Sequence, residues 1–293
     1  MVRMDLITRQ QAGEVLADRR RLLPLAVAAS GYAFAGVTVP LLLLFSGGWW
    51  LPKTVDAGTR LSAGPAVAVD VLLVSVFGLQ HSGMARPAVK AFFARYVADS
   101  LERTLYVVTA SLAVWLLCLA WQPVPKLLWS PGGVLARALD VGFWVGLALV
   151  YAATMLLGHT HLLGLRQAYR CYVTRTPEAN SDGLRVHGPY RLVRHPLMTG
   201  LLLVFWCTST LTVGHLLWAT GLTSYIMLGT LLEERDLLRR FGGAYGAYAA
   251  RVPAFFPSLS AMVAALRGDR RSTGTGSQGG GRMDVPAHTD TAP

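Results

Sequence analysis

Charged side chains are scarce in this sequence of 293 residues. Asp, Glu, Lys and Arg together make up 15% of it, against about 25% in an ordinary soluble domain. Hydrophobic residues make up 53%. A soluble fold has too little interior to hide that much apolar surface. The composition therefore excludes an ordinary soluble domain and indicates a polytopic membrane protein.

Cysteine is also rare, with Cys118, Cys171 and Cys207 in the whole chain. Three cysteines cannot form a disulfide framework, and we expect them to be packing residues. His159 and His161 are two positions apart, roughly 200° around a helix, so they cannot readily hold one metal ion between them. The sequence therefore predicts no metal site.

Long apolar runs are abundant. A bilayer core of about 30 Å is crossed by ~20 helical residues. The last two runs are continuous, and we expect them to separate at Gly214-His215 into a tight hairpin. We predict an all-α fold, a polytopic transmembrane helical bundle with six spans, or five as the alternative, near 24–46, 66–82, 104–121, 138–158, 197–213 and 215–232.

Basic residues outnumber acidic ones by 27 to 16, but they follow the spans and do not gather on one surface. Twenty-three Lys and Arg fall on the side that carries both termini, and four fall on the other side. This distribution argues against a nucleic-acid partner. By the positive-inside rule it predicts an inner or plasma membrane protein of bacterial type with both termini in the cytoplasm.

The densest polar cluster is the stretch 188–200, GPYRLVRHPLMTG, which runs directly into an apolar span. Beyond that hairpin, polarity returns at Glu233-Glu234. The two clusters bracket the hairpin and should meet on one side of the membrane. Read singly, each has a simpler explanation, because a His-Pro pair suits a helix start and two Glu suit a solvated helix face.

Together these clusters suggest a ligand pocket. Glycine allows close backbone approach, a helix N-terminus attracts a carboxylate, and paired Glu can accept hydrogen bonds from hydroxyls and balance a positive charge. S-adenosylmethionine combines a carboxylate, hydroxyls and a positive charge. It also carries the reactive methyl group, so the protein needs mainly to position it.

Two further polar clusters fall on the same predicted side, Gln80-His81-Ser82 and the stretch 159–167. Polar groups at membrane depth are costly unless satisfied, so both are functional candidates. Alternatively, His81 caps a helix among lipid headgroups and Arg166 is an interfacial residue.

At these residues the chain resembles the integral-membrane methyltransferases that act on isoprenylcysteine carboxyl groups and on phospholipids. The motifs are GPYRLVRHPLMTG and EERDLLRRFGGAYGAYAARVPAFFP, within 182–257. FGLQHSGMARPAVKAFFAR at 77–95 and HTHLLGLRQAY at 159–169 are similar to the NnrU-like branch, which includes bacterial methanethiol S-methyltransferases. The resemblance implies methyl transfer from S-adenosylmethionine to a small thiol, most simply methanethiol, giving dimethyl sulfide.

The resemblance and the residue chemistry together define the expected site. His81 and His161 are the candidate catalytic bases, and Gln80, Ser82 and Arg166 are candidates for binding the acceptor. The expected cofactor contacts are Gln167, Leu184, Arg185, Gly188, Tyr190, Arg194, His195, Pro196, Leu197, Met198, Glu233 and Glu234.

One departure bears on the acceptor. The carboxyl-methylating relatives place an Arg one turn before the cofactor Glu, whereas this chain has only apolar residues, Gly and Thr at 228–232. The absence favours a neutral thiol. A lipid methyltransferase and a non-enzymatic protein of the NnrU or nurim type remain the alternatives.

The expected organisation has four parts: a cytoplasmic segment at 1–23, transmembrane helices at 24–158, a cofactor-binding and hairpin region at 159–257, and a disordered tail at 267–293. The expected partners are the thiol and the lipid bilayer. Nothing in the sequence specifies an oligomeric state.

Overall fold

The computed structural model describes residues 19–48, 50–59, 61–174 and 188–257. Five helices in these ranges are long and apolar enough to cross a membrane. The chain is thus an integral membrane protein with an all-α bundle, as its composition predicts. The expected tail and most of the N-terminal segment lie outside the described residues. The long helices are α1 (Arg19–Gly47), α2 (Ala63–Met84), α4 (Asp99–Ala120), α5 (Gly133–Leu157) and α9 (Val213–Ala249).

Shorter elements connect the long helices. They are α3 (Pro87–Phe93), β1 (Leu127–Trp129), α6 (His159–Leu162), α7 (Leu165–Thr174), a 3-10 turn (Gly188–Arg191), α8 (Pro196–Trp206) and β2 (Leu211–Thr212).

The sixth pass is made by a short helix and an extended segment. With 11 residues, α8 rises only about 16 Å. The chain then continues as 207–212, and β2 pairs antiparallel with β1. Backbone N–H groups of Val213 and Gly214 donate to the carbonyls of Lys126 (2.9 Å) and Val124 (3.0 Å). The chain therefore reaches the level at which α4 ends and α5 begins. The expected span over 197–213 is a short helix followed by an extended segment, and the described residues contain five long apolar helices, the alternative count.

The predicted break at Gly214-His215 is also displaced. The interruption covers 207–212, and Thr212 starts α9 by accepting a hydrogen bond from the N–H of His215 at 3.0 Å. Non-helical backbone at membrane depth requires partners for its polar groups. The β1–β2 pairing supplies them at Leu211 and Thr212, and the hydroxyl of Thr208 donates to the carbonyl of Thr210 and accepts from its N–H. The threonines in this segment favour the extended form and the cap over a continuous helix.

The helices define two faces of the molecule. The motif face is the one at which α2 and α5 end and α4 and α8 begin. All four polar clusters lie there, as the alternation of the spans predicts. The apolar part of α9 also ends there, at Leu232, and the helix continues beyond it to Ala249 with a break in its geometry at Gly242 (φ 52°, ψ −130°).

Two glycines set the close packing of α8 on α5. A Cβ at Gly146 would lie 2.8 Å from the carbonyl oxygen of Gly200, and a Cβ at Gly200 would lie 2.8 Å from the backbone of Val150. Small residues allow membrane helices to approach this closely. The contact fixes the position of α8, and with it the polar motif at its start.

The opposite face is anchored by buried tryptophans. The indole N–H of Trp218 donates to the hydroxyl of Ser46 (3.1 Å), and that of Trp121 donates to the carbonyl of Val55 (3.1 Å). The two indole rings meet edge to face with centroids 5.0 Å apart. Cys118 is buried in this region, in keeping with the packing role expected for it.

Candidate active site

The first half of the candidate site is the start of α8. Pro196 is its first residue, a position where the missing N–H and the fixed φ of proline are favourable. The backbone N–H groups of Arg194 and His195 donate to the carbonyls of Pro253 (2.8 Å) and Ala254 (3.0 Å). The motif at 188–200 is therefore held against the segment that follows α9.

Glu234 joins the two clusters. One of its carboxylate oxygens, Oε1, accepts from Nε (2.8 Å) and Nη2 (2.6 Å) of Arg194 and lies 3.0 Å from Nε2 of His195. The side chains are only 12% exposed for Arg194 and 22% for Glu234. Charge-assisted hydrogen bonds are strong when water is partly excluded. The prediction that the two polar clusters meet on one side is confirmed.

Arg194 organises this half of the site. Its Nη1 donates to the carbonyls of Ala249 (3.0 Å) and Val252 (2.6 Å), in addition to the two bonds to Glu234. Four of its five N–H donors are thus committed to protein groups. Its side chain serves chiefly to hold α8, α9 and the 249–254 segment together.

Glu233 is the more accessible carboxylate of the pair. Its Oε2 lies 3.8 Å from Nδ1 of His195, and its side chain is 53% exposed. Tyr190 is close by, and burial, together with the charge of Glu233, raises the pKa of its phenol to about 12. Tyr190 therefore stays neutral at physiological pH and can donate a hydrogen bond.

Two tyrosines beyond α9's apolar part complete this half. Tyr248 donates its hydroxyl to the carbonyl of Tyr190 at 2.7 Å. Tyr245 is buried beside Arg194 and Glu234. Both tyrosines lie in the second sequence motif, EERDLLRRFGGAYGAYAARVPAFFP, but sequence reasoning missed their roles because the break at Gly242 hides which way this segment turns.

The first turn of α8 offers backbone donors. The N–H groups of Leu197 and Met198 come too early in the helix to have an intrahelical acceptor, and no side chain of the described residues caps this end. These donors and the helix dipole suit a carboxylate or phosphate.

The second half of the site surrounds His81. Its ring lies among Phe77 (centroids 5.5 Å apart), Tyr106 (5.1 Å) and Tyr225 (5.8 Å), which we call the aromatic box. Nε2 of His81 is 2.7 Å from the hydroxyl of Tyr106, and Nδ1 is buried without a partner in the described structure. The box draws on α2, α4 and α9, so its members are distant in sequence.

The neighbours of His81 are also polar. Both side-chain polar atoms of Gln80 are buried and lack partners among the described residues. Buried polar groups are nearly always paired, so the unpaired ones mark places where a ligand or water would bind.

Hydrogen bonds help to hold the α6–α7 segment against the bundle. Nδ1 of His159 is 2.6 Å from the hydroxyl of Tyr32, and Nε of Arg103 donates to the carbonyl of Leu162 at 3.0 Å. His161 and Arg166 have exposed side chains, and Gln167 is half-buried, so their expected roles remain predictions. Leu184 and Arg185 lie outside the described residues.

Helix α9 carries parts of both halves. Tyr225 and Glu234 are nine residues apart, which places them about 14 Å along the helix and on opposite sides of it. Between them lies Thr230, which is 4% exposed and has an unpaired hydroxyl among the described residues. By contrast, Thr220 and Ser224 on the same helix donate to carbonyls four residues earlier.

The fold and the site define a class: a polytopic helical membrane protein with a cluster of charged side chains at one face. The family model described as "NnrU protein" matches residues 71–233, more than half of the chain. The chain belongs to the NnrU family.

Named relatives extend over most of the chain. Methanethiol S-methyltransferase 2 of Bradyrhizobium diazoefficiens is 40% identical over 241 residues, covering 82% of this chain and 92% of that protein. Methanethiol S-methyltransferase of Mycobacterium tuberculosis is 38% identical over 239 residues, 81% and 97% of the two chains. Nurim of Rattus norvegicus is 32% identical over 200 residues, 64% and 72%. No solved structure matches this chain.

Proposed function

We propose that this protein transfers the methyl group of S-adenosylmethionine to methanethiol, producing dimethyl sulfide and S-adenosylhomocysteine. The observation that carries the proposal is the intact cluster of Arg194, His195 and Glu234 in a chain similar to methanethiol S-methyltransferases along nearly their whole length. We further propose that the motif face lies in the cytoplasm, on the strength of the basic-residue distribution.

The residues present fit the cofactor. The free N–H groups of Leu197 and Met198 would hold its carboxylate, and Glu233 and the second oxygen of Glu234 would accept from its hydroxyl or ammonium groups. The buried hydroxyl of Tyr245 and the neutral phenol of Tyr190 add donors. When bound, the cofactor supplies an activated methyl group on a sulfonium.

The protein's own contribution is positioning and exclusion of water. Arg194 and Glu234 fix the start of α8 against α9, which sets the direction of the backbone donors. The aromatic box places three rings around His81, which is where we place the small thiol. Because both halves share α9, one rigid helix sets the separation between the methyl donor and the acceptor.

The direct test is product formation by the detergent-purified protein. We expect dimethyl sulfide in the headspace of a sealed vial with methanethiol and S-adenosylmethionine, and none when either is omitted. A correctly folded protein that binds S-adenosylmethionine but makes no dimethyl sulfide would point to another acceptor. A protein that binds no S-adenosylmethionine would contradict the proposal and favour the non-enzymatic alternative.

A further inference from the structure

The tautomer of His81 follows from the contacts in the aromatic box. Three rings surround the imidazole, and the hydroxyl of Tyr106 sits 2.7 Å from Nε2. Nδ1 is the buried nitrogen without a partner in the described structure. A neutral imidazole carries one hydrogen, so it is either on Nδ1 or on Nε2.

The two arrangements leave different numbers of unmade hydrogen bonds. If Tyr106 donates to Nε2, the hydrogen is on Nδ1, and only that N–H lacks a partner. If Nε2–H donates to Tyr106, both the phenol hydrogen and the lone pair of Nδ1 lack partners among the described residues. Buried groups without partners are costly, so the first arrangement is the more stable one.

We propose that His81 binds the sulfur of the acceptor as a hydrogen-bond donor through Nδ1–H, with Tyr106 as the residue that positions it. This role rests on the proposed function and replaces the general-base role suggested by the sequence. The acceptor then reacts as a thiolate. The guanidinium of Arg103, 5.4 Å from the centre of the Tyr106 ring, adds positive charge on this side.

The chemistry balances without a protein base. The thiol S–H bond breaks as its proton passes to water before the acceptor is enclosed, and the thiolate sulfur is then held by Nδ1–H. Its electron pair forms the new S–C bond as the sulfonium S–C bond breaks, which leaves two neutral thioethers. Thiolate is the stronger nucleophile, so stabilising it promotes the transfer.

Two substitutions separate the donor role from the base role. In His81→Asn the amide nitrogen is bonded to Cγ, as Nδ1 is, so a donor remains at that position. In His81→Gln the amide nitrogen lies one bond further out, nearer the position of Nε2, so it can reach Tyr106 but not the thiol. Neither amide can act as a base.

We expect His81→Asn, which keeps the donor but loses the contact with Tyr106, to lose less than about tenfold in kcat, and His81→Gln to lose roughly 10- to 100-fold more than His81→Asn, as expected for a lost hydrogen bond to an anion. If both variants fold, bind S-adenosylmethionine and lose kcat equally, the donor role is overturned and the general-base role of His81 is favoured.

The tautomer can be measured without turnover. In protein labelled with ¹⁵N-histidine, the signals of His81 are identified by their loss in His81→Gln. They should show a protonated Nδ1, and the Nδ1 signal should shift when methanethiol is added without cofactor. Tyr106→Phe should produce a mixture of tautomers, an effect that a merely structural role would not cause.

A wild type with an unprotonated Nδ1 would refute the proposal. If the protein makes no dimethyl sulfide although Nδ1 is protonated and responds to methanethiol, the assigned reaction fails while the binding role of His81 stands. If Nδ1 is protonated but does not respond to methanethiol, the proposal fails whether or not the reaction occurs.

Discussion

Replacing Glu234 by Gln tests the centre of the candidate site. The substitution keeps the shape of the side chain and one carbonyl oxygen but removes the charge. Three nitrogens, two of Arg194 and one of His195, converge on that oxygen at 2.6–3.0 Å. Hydrogen bonds to charged groups contribute about 1.5–3 kcal/mol, against about 0.5–1.5 kcal/mol for neutral ones.

The expected loss follows from these contacts. About 1 kcal/mol for each of the bonds sums to roughly 3 kcal/mol, which partial exposure of Glu234 reduces to about 2 kcal/mol. If this cluster preorganises the cofactor pocket, the affinity for S-adenosylmethionine should fall by up to about 30-fold. The melting temperature of the detergent-solubilised protein should fall as well.

Equilibrium dialysis with labelled S-adenosylmethionine measures the affinity, and intrinsic fluorescence on heating measures the melting. Asp236→Asn is the matched control, since Asp236 lies on the same helix and pairs with Arg239 at 3.2 Å, but the two side chains are 67% and 80% exposed. Its effect should stay below about twofold. The reasoning is refuted if Glu234→Gln binds S-adenosylmethionine within twofold of the wild type and melts within 1 °C of it, on the order of measurement error.

Three further predictions concern packing, ionisation and the buried hydroxyl. Gly146→Ala should cost about 1–3 kcal/mol in stability because its Cβ meets the backbone of α8. Gly36→Ala has open space around its Cβ and should be neutral or stabilising. Melting temperatures that rank the two variants the other way would contradict the packing. The raised pKa of Tyr190 means that its contribution to stability is intact below pH 10 and is lost as the pH rises to about 12, so Tyr190→Phe should flatten only that alkaline part of the stability profile. Thr230→Val should raise the melting temperature and also raise KM for methanethiol, whereas Thr220→Val should change neither. A lower stability of Thr230→Val would show that the Thr230 hydroxyl is already bonded.

The sequence predicts the helical framework well because apolar length and charge alternation are local signals. It predicts that the motif at 188–200 faces the Glu pair because the topology leaves them on one side. It does not predict the interruption at 207–212, since the apolar run is continuous there and only the pairing with β1 makes an extended segment favourable.

The aromatic box shows a second limit. His81 stands out in the sequence as a polar residue at a span end, but Tyr106 and Tyr225 look like ordinary apolar-face residues. They become parts of a site only through the packing of α2 against α4 and α9. Contacts between distant segments carry no periodic signal, so the tautomer of His81 follows only from the three-dimensional structure.

The missing Arg before the Glu pair can be restored as a test of acceptor choice. Gly229 lies one turn before Glu233, and a Cβ built there has no atom within 4 Å, so the first atom of a side chain meets no obstruction. Arg is also a better helix former than Gly. If the absence of a cation here is what excludes carboxylate acceptors, Gly229→Arg should gain methylation of mercaptoacetate and lose activity on methanethiol. Gly229→Ala should retain the wild-type preference. A Gly229→Arg protein that folds, binds S-adenosylmethionine and still prefers methanethiol would show that acceptor choice is set elsewhere, most directly by the aromatic box around His81.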